Sequence, residues 1–169
     1  GEEPYTIGIS LLESIPQAST WDIKILASDL STRVLSKAAA GVYEQDRLEN
    51  VSPQVKGKYF EPRRLPTGEQ AFAVSPAVRN LISFRYLNLM EAWPFAGPFD
   101  FIFCRNVMIY FDKPTQEKLV NRYYECLRPG GVLFAGHSES LTGTKHGFKF
   151  VQATIYPVSY THLTLPTKA

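Results

Sequence analysis

One stretch limits the possible fold more than any other. FDFIFCRN, residues 99–106, is a short apolar run ending on polar residues, as a strand covered on both faces does. Asp112 and Pro114 then open an amphipathic helix with Leu119, Tyr123, Cys126 and Leu127 on one face. LRPGG is expected to close that helix through Gly130 and Gly131, and VLFAGHS to follow as the next strand. A strand, a helix and a strand in this order predict a parallel pair, because the helix returns the chain to the end where the first strand began. The rhythm is present earlier too. WDIKILASD reads as a buried strand, Ser31 caps a helix over 32–40 that Gly41 stops, and LISFRYLNL reads as a further strand. The expected class is α/β, with an open, mostly parallel sheet and right-handed crossovers.

The remaining segments fit around that frame. GEEPY reads as a helix entry, with Pro4 in the first turn, Glu2 and Glu3 complementing the helix dipole, and Tyr5, Ile9 and Leu12 at helical spacing. From Val42 to Ala77 the α/β rhythm is lost, and YFEPRRLPTGEQAFAV reads as a hairpin turning at Pro66–Gly68. FKFV and ATIYPV are expected to form a closing antiparallel pair. A chain of 169 residues suits one domain. A net charge of +2 gives no reason to expect nucleic acid or a membrane surface as partner, and no apolar run is long enough to span a bilayer. Cys104 and Cys126 lack metal-ligand spacing and lie in apolar segments, so they read as buried thiols of a cytoplasmic protein. The threonine-rich segment Ser159–Ala169 reads as a non-native tail and is set aside.

Ligands of such sheets bind beyond the carboxyl ends of strands. Polar residues stand at three of those ends: Ser28 and Asp29, Asn88, and Arg105 with Asn106. A carboxylate at the end of a strand, as at Asp29, can accept both hydroxyls of a ribose, although Asp29 can equally well brace the helix that follows. Neither GxGxxG nor a GK[ST] phosphate loop is present, and a strand with a glycine-containing loop is expected before Gly1. GHSES at 136–140 nearly matches the nucleophile elbow of hydrolases, but Ser140 replaces its last glycine and only Glu139 follows Ser138 as an acid. A triad is therefore rejected. His137, His146 and His162 have no metal-binding spacing, and Lys56, Lys58, Arg63 and Arg64 read as a solvated basic face.

GEEPY, ASD, LNL, FDFIFCRNVMIYF, LRPGG and FAGHSE, in this order and spacing, resemble the CheR-type protein-glutamate methyltransferases of bacterial chemotaxis. The resemblance runs from Gly1 to about Val158. It implies a Rossmann-like methyltransferase fold lacking its first strand, so that residues 1–158 are a truncated catalytic domain and about 59–77 a small antiparallel subdomain. It further implies S-adenosyl-L-methionine as cofactor and S-adenosyl-L-homocysteine as product. Cofactor contacts are implied at Glu3, Asp29, Asn88, Leu89, Arg105 and Asn106, with Asp29 on the ribose and Asn88 and Leu89 on the adenine. Tyr110 is implied to line the pocket at the transferred methyl group. The implied partners are methyl-accepting chemotaxis receptors, through their cytoplasmic helical region and, in some members, a C-terminal tail docked on the antiparallel subdomain. Two other outcomes stay open: another S-adenosylmethionine-dependent methyltransferase, or a docking domain without catalysis.

Overall fold

The computed structural model describes residues 1–137 and 139–159. The chain divides into two compact units, residues 1–88 and the residues from Leu89 on.

In the first unit, α1 spans Glu2–Ser14, with Pro4 where a missing N–H costs nothing and Glu2 and Glu3 in the first turn. Strand β1 (Ile25–Asp29) leads into α2 (Thr32–Ala40). The Ser31 hydroxyl accepts from the Val34 N–H at 3.3 Å, capping α2, and Gly41 ends it in the left-handed region at φ +61. Then come β2 (Val42–Glu44), α3 (Pro53–Tyr59), β3 (Phe60–Arg64), β4 (Gln70–Val74), α4 (Pro76–Arg79) and β5 (Ile82–Tyr86). β1 and β5 are parallel, with Ile25 opposite Ile82 and Asp29 opposite Tyr86. A second sheet has the antiparallel order β2-β4-β3. Pro62 has no N–H to give a ladder, which suits β3 to the edge position it holds. The hairpin turns where the Leu65 N–H donates to Glu69 and Gly68 takes φ +89.

The core of this unit is Tyr5, Tyr59, Val74, Val78 and Ile82. The Tyr5 hydroxyl donates to the Ala38 carbonyl at 2.7 Å, tying α1 to α2, and burial pushes its pKa up. A Cβ at Gly41 would stand 2.9 Å from that hydroxyl oxygen, in a backbone conformation that L-residues disfavour. Gly41→Ala is therefore expected to lower stability by about 2 kcal/mol. Chemical denaturation of the full-length protein checks this, and an unchanged midpoint would contradict it.

The second unit contains β6 (Phe99–Cys104), α5 (Lys113–Cys126), β7 (Leu127–Ala135) and β8 (Ile155–Pro157). β6 and β7 are parallel, and β8 pairs antiparallel with β7. The α/β class and the parallel pairing through a helix are as the sequence implied. Asp112 caps α5 by accepting from the Thr115 N–H at 3.0 Å, and Thr115 holds its carboxyl below the usual range. Leu119, Val120, Tyr123 and Cys126 are buried on one face of α5, among Leu133, Ala135, Leu141, Phe148 and Tyr156. The Tyr123 hydroxyl donates to the Cys104 sulfur at 3.2 Å. Burial, with Cys104 next, pushes the Tyr123 pKa well up.

Two local expectations change. LRPGG does not follow α5 as a cap but lies in β7, because the helix stops at Cys126 and Leu127 is already extended, opposite Phe99. Between Phe99 and Phe101 the register shifts, two steps along β6 matching five along β7, and Gly130 takes φ +75 inside that irregularity. FKFV forms no strand. β8 finds its ladder on Val132, Leu133 and Phe134 instead, and Lys149 contributes one N–H bond to Pro157. The proposed non-native tail lies outside the described residues from position 160 on, as does Ser138 of GHSES. Among the described residues no helix is long and apolar enough to cross a membrane.

Candidate functional site

In the first unit, the parallel pair ends with Asp29 and Tyr86 abreast, and the Leu87 N–H donates to the Asp29 carbonyl at 3.2 Å. Asp29 and Asn88 thus emerge at the same, carboxyl edge of that sheet, where ligands of parallel sheets bind. Asp29 is exposed, and its Oδ1 accepts from the Ser31 N–H at 2.7 Å. This side chain thus braces the residue that caps α2. A carboxylate offers about four lone-pair positions, so one such bond leaves capacity for sugar hydroxyls. Glu3 is exposed in the first turn of α1.

In the second unit, the Leu89 carbonyl accepts from the Arg122 guanidinium at 2.6 Å and from the Trp93 indole N–H at 3.3 Å. Arg122 also donates to the Glu91 carbonyl at 2.6 Å and lies 4.0 Å over the Trp93 ring. This planar cation fixes the course of the segment after Leu89, work that a lysine's point charge does poorly. Arg122 was not among the residues expected from the sequence. Its only signal is a long cationic side chain one position before the buried Tyr123.

Arg105 and Asn106 follow β6 directly and are both exposed. Asn106 has φ +57, a conformation asparagine tolerates better than most side chains. A short 3-10 turn, Met108–Tyr110, then carries Tyr110 outward at 80% exposure. Its side chain is therefore largely open to solvent. The amides of this loop converge on Glu139. Its Oε2 accepts from Asn106 and Gly136, both at 2.8 Å, and its Oε1 from Val107 at 2.7 Å and Met108 at 2.6 Å. The sequence offers Glu139 only as a hydrolase acid, a reading it does not support. With both oxygens filled by backbone N–H groups, it is indeed committed elsewhere.

Comparison with known proteins bears on both units. A family model described as CheR methyltransferase, SAM binding domain, matches residues 1–157. The chain belongs to the CheR methyltransferase family. S-adenosylmethionine is accordingly the cofactor of its domain type. A probable chemotaxis protein methyltransferase of Rhizobium etli is 44% identical over 157 residues, covering 92% of this chain and 58% of that protein. Chemotaxis protein methyltransferase 2 of Pseudomonas aeruginosa is 46% identical over 157 residues, with 92% and 55% covered. The chemotaxis protein methyltransferase of Escherichia coli is 41% identical over 161 residues, with 94% and 55% covered. The chain thus spans little more than half the length of these CheR relatives.

Proposed function

We propose that the protein transfers a methyl group from S-adenosylmethionine to glutamate side chains of chemotaxis receptors. The observation that carries this reading is the CheR family match over residues 1–157, supported by relatives named chemotaxis protein methyltransferase. The donor set fits the cofactor: an exposed carboxylate at a parallel strand's carboxyl end is suited to ribose hydroxyls. In the first unit Asp29 holds the ribose, Asn88 the adenine, and Glu3 a further part of the cofactor. In the second, Leu89 contacts the adenine, Arg105 and Asn106 contact the cofactor, and Tyr110 lies at the methyl group. The cofactor supplies an activated methyl on sulfur.

The acceptor carboxylate, with an ordinary pKa of about 4.3, is already an anion at neutral pH and needs no general base. The protein's task is therefore to align the acceptor oxygen with the methyl group and limit competing water. The Tyr110 hydroxyl donates one hydrogen bond to the acceptor carboxylate, orienting it without lowering its nucleophilicity as a tight ion pair would. Because Tyr110 is 80% exposed, that bond competes with water and its contribution falls at the low end for a charged partner. Tyr110→Phe is expected to lower kcat about tenfold with little change in cofactor affinity. Single-turnover methylation alongside a cofactor titration checks this, and equal rates would remove Tyr110 from the reaction.

The receptor itself is recognised in part along β3, an edge strand bearing Arg63 and Arg64 whose open backbone groups suit an added peptide strand. The decisive experiment incubates the full-length protein and isotopically methyl-labelled cofactor with receptor-bearing membranes and with a panel of other acceptors. Base-labile methyl ester on receptor glutamates is the expected product. Label on another acceptor class would indicate a different methyltransferase. Cofactor binding without any transfer would indicate a docking domain.

A further inference from the structure

Among the described residues, the buried charged or polar side chain is Glu139, 5% exposed. An ionised carboxylate in such a place is costly unless its oxygens are fully hydrogen-bonded. Four backbone N–H groups do this, two to each oxygen. Three come from consecutive residues, Asn106, Val107 and Met108. They can point to one side only because Asn106 is left-handed at φ +57 and Val107 follows at φ −121, ψ −49. Successive amides turned inward in this way form a concave anion cradle. The fourth donor, Gly136, directly follows β7, where Ala135 stands opposite Cys104, the last residue of β6. One carboxylate therefore joins the carboxyl ends of two parallel strands. On the opposite side, the Gln116 side-chain amide donates to the carbonyls of Met108 and Phe111 at 2.8 and 3.0 Å. The turn is held by its N–H groups and by its carbonyls at once.

The residues so fixed lie between Arg105 and Tyr110, both exposed. We infer that Glu139 is a positioning residue for methyl transfer, acting as an internal anion that sets the shape of the 105–110 loop and so aims Arg105, Asn106 and Tyr110. This inference rests on the proposed methyl-transfer reading. The chemistry of the cradle makes an unusual demand. Glutamine matches glutamate in size, but its NH2 would face two N–H donors where an oxygen now accepts, so half of the clamp is lost. Aspartate keeps the charge but is one methylene short.

The test uses the full-length protein and its Glu139→Gln, Glu139→Asp and Glu139→Ala variants. Expected is a graded loss of kcat, deepest for Gln and Ala at about 100-fold, the scale of a misplacement of about 1 Å at a reacting centre. The receptor KM should stay nearly constant, and the loss should persist after correction for the folded fraction. Acetate, which replaces the missing CH2–COO⁻, is expected to restore part of the kcat of Glu139→Ala, whereas chloride is not. Hydrogen exchange at the amides of 106, 107, 108 and 136 supplies a readout independent of activity. All four should be protected in the wild type and lose protection together in Glu139→Gln. Should Glu139→Gln fail to fold, the Asp variant and acetate rescue of the Ala variant carry the test. Protection lost with kcat intact would overturn the positioning role while leaving methyl transfer standing. If no acceptor is methylated by the wild type, the proposed function falls. The clamp is then judged by S-adenosylhomocysteine affinity, which should weaken in Glu139→Gln, and unchanged affinity would overturn it.

Discussion

Leu119→Ala is expected to destabilise the full-length protein by about 3–4 kcal/mol. Leu119 is 0% exposed and sits on the buried face of α5, within a cluster that includes Leu133, Val120, Tyr123 and Leu141. Removing its isobutyl end forfeits the transfer energy of the lost carbons and leaves a cavity. Leu133 lies on a strand paired on both sides, by β6 and by β8, and cannot easily slide in to fill it. The loss is large against a typical total of ~5–15 kcal/mol. Urea unfolding should show the midpoint moving sharply down. A loss below about 1 kcal/mol would mean that this unit is far more plastic than its packing indicates.

Asp29→Ala is expected to weaken S-adenosylhomocysteine binding by about 2 kcal/mol, roughly 30-fold, the scale of a lost hydrogen bond to a charged group. Alanine also removes the bond from the Ser31 N–H, so by itself it confuses a ligand contact with a brace for α2. Asp29→Asn separates them. Its amide oxygen still accepts from Ser31, but the charge and half of the accepting capacity are gone. If Asp29 holds the ribose, both variants lose affinity by calorimetry and only Ala lowers the melting temperature appreciably. Wild-type affinity in Asp29→Asn would return this carboxylate to a purely local role at the start of α2.

Helices α1, α2 and α5 and the parallel strands were legible in the sequence because their signals are local, whereas the short α3 and α4 were not. Ser31 and Gly41 mark the two ends of α2, and Asp112 marks the start of α5. The end of α5 was misread for a physical reason. LRPGG carries the residues of a helix stop, yet the same glycine that ends helices also permits the irregularity between β6 and β7. Only the pairing of Leu127 with Phe99 decides between them. β2 escaped notice because three residues, VYE, carry too little alternation. The exposed positions Asp29, Arg105 and Tyr110 are expected site residues because of strand ends and family motifs. The hydrogen bonds of Arg122 and three of the four made by Glu139 were not expected, since they involve backbone groups 31–33 residues away in the chain. A side chain whose partners are main-chain atoms leaves no pattern of complementary residue types to read.

The two thiols have a practical consequence. Cys104 and Cys126 are both buried and form no disulfide, Cys104 accepts the Tyr123 hydroxyl, and burial pushes the Cys126 thiol up. The reactive thiolate is thereby suppressed and screened from bulky reagents. These residues thus provide a chemically silent background. Within this segment, a cysteine introduced on the exposed hairpin or beside Tyr110 is the preferred site for a maleimide dye or spin label over Cys104 and Cys126. Local motion at the labelled position then becomes measurable without disturbing the core.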